Sequence, residues 1–293
     1  MPEEGVYLLT HVGFTHSGEP ILSLQRSGTM YRFNPVGRIM SLRFDPSQRY
    51  CTGWYDMRAS ESHPCPDAAS IAEKYDQCSA CQQRTGFNPA FYNASSVSSQ
   101  QEDRNQEPHI LYLAHFGKGI TKVGISHAAR GDARLLEQGA RSAIILDTFP
   151  TALVARQYEA KIAAMPGIAE TIQLRKKILS LSQSYNQADA HAELQSVRTN
   201  VELALKTSFS EGAPRSFDDI YFPSDTPDLS QSFDTSNHSG ISGHITGMLG
   251  PLLFSTQDDT PLFLPIKKYT GYNVTLSYTP FDIPLPSQQM SFF

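Results

Sequence analysis

Short apolar runs fill residues 5–50. VYLLTHVGF, PILSLQRSG, TMYRFN and RIMSLRFD alternate apolar and polar positions and are separated by Gly, Pro, Ser and Asn. Such runs between breakers predict strands, here a meander or small barrel-like sheet that makes residues 1–50 a β-rich platform. The pattern returns beyond residue 240 in SGHITGML, PLLFST, PLFLPIKKY and NVTLSY. Residues 213–279 therefore read as a second β-rich region, either a domain of its own or the completion of the first sheet. The polar stretch 224–237 inside it reads as a loop. Residues 280–293 read as a tail kept extended by Pro280, Pro284 and Pro286.

Between these regions the period changes. Residues 110–114 and 121–126 read as two strands joined by a Gly-containing turn, and a helix carrying Arg130 and Arg134 follows. Residues 142–149, SAIILDTF, read as a third strand. Thr151 is placed to N-cap TALVARQYEAKIAAM, whose Val154, Tyr158 and Ile162 fall on one helical stripe with Glu159 beside it. Pro166-Gly167 ends that helix. A short helix over 174–181 completes a β-β-α-β-α domain spanning 109–183. Ala190, Leu194, Val197, Val201 and Leu205 give a further helix one apolar face, within a helical region at 184–212.

All four cysteines lie within residues 51–92, spaced C-x13-C-x12-C-x2-C: Cys51, Cys65, Cys78 and Cys81. A C-x2-C knuckle turns two thiolates toward one ion, and four thiolates complete the tetrahedral shell of structural zinc. The intervening residues are too polar to bury a core, so a metal would supply the missing stability. Two disulfides or four unrelated thiols are the competing readings. Trp54, Tyr55, Phe87, Phe91 and Tyr92 are expected to pack around the site. Residues 93–108 read as a polar linker.

Composition adds little until charge is placed along the chain. The net charge is −5, but residues 109–180 hold ten Lys and Arg against five Asp and Glu, whereas the flanking parts are acidic. A local excess of positive charge can attract phosphate although the whole is acidic. Arg175, Lys176 and Lys177 read equally well as a solvated helix face. No apolar run is long enough to span a bilayer, and the acidic N-terminus does not have the form of a signal peptide, so a cytoplasmic, membrane-free protein is expected.

The central residues resemble the GIY-YIG nuclease superfamily over about residues 109–165. Ile110-Leu111-Tyr112 stands where that superfamily has its first motif and Lys122-Val123-Gly124 where it has its second. Arg134, with Arg130 as its rival, matches the helix arginine, and Glu159 matches the metal-binding glutamate. A second resemblance covers most of the chain. It is to a bacterial family of unknown function with a cysteine-rich segment, a YLA…KVGI…R…QGA core and a closing motif like Ile266-Lys267-Lys268-Tyr269-Thr270-Gly271-Tyr272.

The expected fold is thus α+β: a small GIY-YIG-like core, a zinc-binding cysteine segment and flanking β-rich regions. The resemblance implies a metal-dependent nucleic-acid phosphodiesterase in DNA processing, with DNA expected over RNA. Glu159 would hold Mg²⁺ or Mn²⁺ to clamp a phosphate oxygen. Arg134 would offset charge on the phosphate. Tyr112, with a lowered phenol pKa, and Lys122 would serve water or phosphate. Gly124, His127, Arg130, Gln138 and Arg141 are expected along the nucleic-acid path. His115 and His127 flank the motifs and read foremost as surface-loop histidines. The competing class is a non-catalytic, zinc-containing nucleic-acid-binding or adaptor protein, and a third is a site for a nucleotide-like small molecule. Gln289, Met290, Phe292 and Phe293 in the tail resemble the short peptide with which bacterial replication proteins dock on the sliding clamp.

Overall fold

The computed structural model describes residues 1–85, 98–210, 212–224 and 226–285. Phe87, Phe91, Tyr92 and the clamp-like residues Gln289, Met290, Phe292 and Phe293 lie outside the described residues.

The chain opens with β1 (Gly5–Phe14), β2 (Pro20–Arg26), β3 (Thr29–Phe33) and β4 (Ile39–Tyr50). The β2–β3 turn is Ser27-Gly28, with both residues at positive φ (49° and 79°), the geometry that matches strand twist in a two-residue hairpin. A meander would continue from β3 to β4. Instead the chain leaves the edge, and β4 lies two strands from β1.

The intervening place is taken by the last strand of the chain. After the small hairpin β5 (Trp54–Asp56) and β6 (Glu61–His63) come β7 (Ser70–Ile71), α1 (Ser79–Arg84) and α2 (Ser99–Asn105). Part of the expected linker is therefore helical: Ser98 accepts from the Gln101 backbone N–H at 3.1 Å and caps α2. The central unit runs β8 (His109–His115), β9 (Thr121–His127), α3 (Ala133–Gln138), β10 (Ser142–Phe149), α4 (Ala152–Ala163), β11 (Ile168–Ala169), α5 (Leu174–Ser180) and α6 (Gln187–Leu205). Next come β12 (Arg215–Ser216), α7 (Asp218–Tyr221) and β13 (Phe233–Asp234), the last within the stretch expected to be loop. The chain then closes with β14 (Gly240–Leu249), β15 (Leu252–Gln257), β16 (Thr260–Leu264) and β17 (Tyr272–Ser277).

Strands from both ends of the chain form one ten-stranded sheet, ordered β13-β16-β15-β14-β4-β17-β1-β2-β3, with β7 paired to β4. The central unit has its own sheet, ordered β11-β9-β8-β10-β12. Its middle strand β8 is buried at all seven positions. The reason lies in its period-two alternation. Ile110, Tyr112 and Ala114 face one core, shared with the large sheet, while Leu111 and Leu113 face a second core with Ile162 of α4 and Leu194 and Val201 of α6. The end of α3 closely approaches the turn between β14 and β15 where Gly139 meets Gly250. A Cβ on Gly250 would sit 2.5 Å from the Gly139 nitrogen, so side chains are excluded from that crossing.

Candidate functional site

The cysteine segment is closed by the β5–β6 hairpin. Trp54 pairs with His63 and stacks on its ring at 4.1 Å, which folds the chain back and brings Cys65 to Cys51. Gly53 makes that turn possible: its φ is 88°, and a Cβ would sit 1.9 Å from the His63 carbonyl oxygen. The second half is the C-x2-C knuckle at the start of α1. There the backbone N–H groups point at sulfur: Cys78 N–H donates to Cys51 Sγ at 3.2 Å, and the Cys81 N–H lowers the Cys78 thiol pKa. All four Sγ atoms lie within 4.8 Å of one another, with Cys65 and Cys78 at 3.9 Å. Tetrahedral zinc with bonds of ~2.3 Å sets sulfurs ~3.8 Å apart, so the four fit a metal ion such as zinc. The cysteines are free rather than disulfide-bonded, and Trp54, Ala69 and Ile71 pack on them. Cys51 and Cys65, separated by thirteen residues and without a tight knuckle, are thus brought together by a hairpin, which spacing alone does not reveal.

The other cluster lies on the face of the small sheet that looks toward the large one. Tyr112 of β8 pairs with Gly124 of β9, and Ala114 with Lys122. Directly opposed residues of an antiparallel pair share a face, so Tyr112, Gly124 and Lys122 lie together. Gln138, at the end of α3, donates through Nε2 to the Tyr112 hydroxyl at 2.7 Å. Tyr112 is 1% exposed, and burial raises its phenol pKa, although the Arg134 guanidinium acts against this. The lowered pKa expected for this phenol is therefore corrected: desolvation outweighs the nearby cation, and the hydroxyl keeps its proton.

Glu159 is not beside the buried stripe of α4 but on it, between Ala155 and Ile162. Burial raises its carboxyl pKa, opposed by a bonded Arg156 and by Lys122. Arg156 also reaches Glu170 at 2.8 Å. Burial lowers the Lys122 pKa, opposed by Glu159, while its ammonium donates to the Glu170 carbonyl. Arg134 and Glu159 thus both act on Tyr112 and on Lys122, so charges from α3 and α4 bear on the paired strands β8 and β9.

The two rival arginines differ. Arg130 sits in the 3-10 turn Ala128–Arg130, separate from α3, and bonds both carboxylate oxygens of Glu137 at 2.7 Å. Arg134 lies 3.9 Å from Glu137 and keeps 42% of its side chain exposed. Arg134 is the more available cation.

Other expected site residues are occupied elsewhere. Arg141 is buried, bonds Asp218 through Nε at 3.0 Å, and stacks over Tyr185 at 3.7 Å, so its guanidinium is spent within the fold. His115 and His127 are not loop residues. They end β8 and β9, and both are buried. His127 bonds Glu107 and accepts from the Ala129 N–H at 3.2 Å, capping the turn after β9. His115 Nε2 lies 3.2 Å from Glu193 of α6.

Sequence reasoning passed over Lys177 as part of a solvated face. Its ammonium donates to the Gln138 carbonyl at 2.6 Å and lies over the Phe116 ring at 4.8 Å. Burial and neighbouring cations lower its pKa to about 8. The signal was present: Leu174, Lys177, Ile178 and Leu181 share one helical face, which puts Lys177 on the packed side.

Residues 40–274 match the family model described as protein of unknown function, DUF2797. No curated protein and no solved structure matches the chain.

Proposed function

For a chain that belongs to the DUF2797 family, we propose a metal-dependent nucleic-acid phosphodiesterase of the GIY-YIG type, acting on DNA. The observation that supports it is that Arg134 of α3 and Glu159 of α4 both act electrostatically on Tyr112 and Lys122 of the paired strands β8 and β9. Each comes from a different element, and the order β-β-α-β-α is the one the resemblance implies.

Arg134, exposed and weakly paired, binds the phosphoryl oxygens and offsets the charge that grows on them. Tyr112 accepts from Gln138 and keeps its own proton, so it acts as a donor to phosphate or water and not as a base. Lys122 binds phosphate in this reading or, once deprotonated, takes a proton from the attacking water. Gly124 leaves the Tyr112 ring its place. Glu159 is the carboxylate that would hold Mg²⁺ or Mn²⁺, and the ion would supply Lewis-acid stabilisation of the charge that develops on the phosphate. The cysteine quartet serves as a structural centre.

One observation favours a second reading. Arg156 already neutralises Glu159, leaving a site rich in cations and without a free acid. A site of that kind recognises nucleic acid without cutting it, as an adaptor would. The test is incubation of a panel of structured DNA and RNA with Mg²⁺ or Mn²⁺, alongside a binding measurement. Cleavage that disappears in Glu159→Ala supports the enzyme. Binding without cleavage, unaltered by Glu159→Ala, supports the adaptor. We further propose the C-terminal tail as a sliding-clamp peptide, and a labelled peptide of residues 287–293 that ignores a clamp would remove it.

A further inference from the structure

On the face of the small sheet opposite Tyr112, four hydrogen-bonded side chains stand in a row that the phosphodiesterase roles leave unused. β8 and β10 pair His115 with Ser142 and Ala114 with Ala143. Ser142 and His115 therefore point away from Tyr112 and toward α6, as Leu111, Leu113 and Ile144 do. The Tyr185 hydroxyl lies 2.6 Å from Ser142 Oγ, Ser142 Oγ lies 3.0 Å from Ser216 Oγ, and Ser216 Oγ lies 2.9 Å from His191 Nε2. Ser142 is fully buried, whereas Tyr185, Ser216 and His191 are only half-buried.

Each hydroxyl has one proton to give, and a neutral imidazole has one nitrogen that accepts. Protons that run from Tyr185 through Ser142 and Ser216 to His191 give every hydroxyl in the row an acceptor and end on the imidazole lone pair. The opposite direction leaves the Tyr185 proton without an acceptor in the row. Ser216 thus has its proton aimed at a base, the arrangement that activates a serine nucleophile. The base sits on a firm element. His191 follows the buried Ala190 in the second turn of α6, and the Asn186 side chain caps that helix by accepting from the Asp189 N–H at 3.0 Å.

The backbone at Ser216 adds a donor. Phe217 N–H donates to the Arg141 carbonyl at 3.0 Å, which makes Ser142 and Ser216 the non-hydrogen-bonded pair between β10 and β12. In such a pair the side chains stand close, and the N–H of each residue points away from the partner strand. β12 is the edge of its sheet, so the Ser216 N–H faces outward. From there it can donate to the oxyanion formed when Ser216 Oγ attacks a carbonyl. The adjoining arginines are both neutralised, Arg141 by Asp218 and Arg215 by Asp132 at 2.7 Å. The surroundings of the row therefore suit an uncharged substrate better than an anionic one.

We propose that Ser216 and His191 form a second catalytic site, a serine–histidine pair that hydrolyses uncharged carboxylic esters. Ser216 Oγ attacks the ester carbonyl carbon while its proton passes to His191 Nε2. The electron pair of the C=O bond moves onto oxygen, which meets the Ser216 N–H. The carbonyl re-forms as the bond to the alkoxy oxygen breaks, and His191 gives its proton to the leaving alcohol. Water then attacks the acyl-serine and passes one proton to His191. The carboxylic acid departs as Ser216 Oγ takes that proton back, and the pair is restored. Ser142 and Tyr185 are positioning residues, which hold Ser216 Oγ toward His191 and touch no substrate.

The test uses the full chain and p-nitrophenyl acetate. Release of nitrophenol is followed by absorbance, and the acetylated residue is located by mass spectrometry of peptides after an acid quench. The wild type should release nitrophenol and carry an acetyl group on Ser216. Ser216→Ala should lose that acetyl group and the release that accompanies it. His191→Gln should slow acetylation of Ser216 by about a hundredfold or more. Ser216→Cys keeps a nucleophile beside His191 and should still be acetylated at residue 216. Urea unfolding of each variant separates loss of the nucleophile from loss of the fold. Acetylation confined to surface lysines overturns the proposal, as does acetylation of Ser216 that His191→Gln leaves unaltered.

Discussion

The ring of Tyr112 lies directly over the α-carbon of Gly124. A Cβ at residue 124 would sit 2.4 Å from the phenol oxygen and 2.6 Å from the ring carbon that carries it. Residue 124 cannot gain a side chain while the Tyr112 ring keeps its place, because β8 and β9 are paired on both sides of them and Gln138 fixes the hydroxyl. Gly124→Ala should therefore displace the ring and destabilise the protein by about 1–3 kcal/mol, as overpacking does. Tyr112→Phe removes only the hydroxyl and should cost ~1 kcal/mol. Urea unfolding of Gly124→Ala, Tyr112→Ala and the double variant checks the coupling. The double variant should be clearly more stable than the sum of the single losses predicts, and strict additivity would refute the contact.

The cysteine quartet should bind one zinc ion per chain, read by elemental analysis of the purified protein. Strong chelation, or Cys78→Ser, should release it and lower the melting temperature by ~5 °C or more. The fall should be largest at the Trp54–His63 hairpin, whose short strands have little other support. Tryptophan fluorescence follows that region alone, since Trp54 is the single tryptophan of the chain.

His115 is buried at the end of β8, and burial lowers its pKa from 6.5. Glu193 opposes the shift, while Arg141 and His191 add to it. The unfolded chain therefore binds the proton more readily than the folded one, so stability is complete above about pH 6.5 and is lost as pH falls below it. His109 at the other end of the strand acts in the same direction. His115→Gln should flatten the decline between pH 6.5 and 5, measured by chemical denaturation. A decline of unchanged steepness would assign it to other groups.

Arg141→Ala should act on stability and not on nucleic-acid affinity. It removes a buried guanidinium from Asp218 and from the Tyr185 ring, leaving Asp218 uncompensated. The cost is expected at about 2–4 kcal/mol, in the range for breaking a largely buried pair. Arg134→Ala should do the reverse: its exposed side chain contributes little to folding, but anion affinity should drop. Comparing the two variants in one unfolding and one binding measurement separates a fold arginine from a site arginine.

Much of the element order was legible because it depends on local periodicity. The strand at residues 142–149, the capped helix beginning after Thr151 and the apolar face of α6 all follow from residues within one turn or one strand of each other. The convergence of the cysteines was legible too, since their confinement to one segment leaves few other uses. The buried histidines were not, because polarity read along the chain says nothing of what packs from elsewhere. His115 is covered by α6, whose Glu193 is 78 residues away.

By itself, then, the sequence determined many of the strands and helices, where the thiols collect and which segment carries positive charge. Those properties are local, fixed by side-chain period, capping and composition. Tertiary structure alone decided that β17 enters between β1 and β4, joining the two ends of the chain in one sheet. It decided that Arg141 is spent on Asp218 while Arg134 stays available, and that desolvation raises the Tyr112 pKa in spite of a nearby cation. Strand partners, ion-pair partners and dielectric surroundings come from residues distant in the chain. No window of sequence contains them.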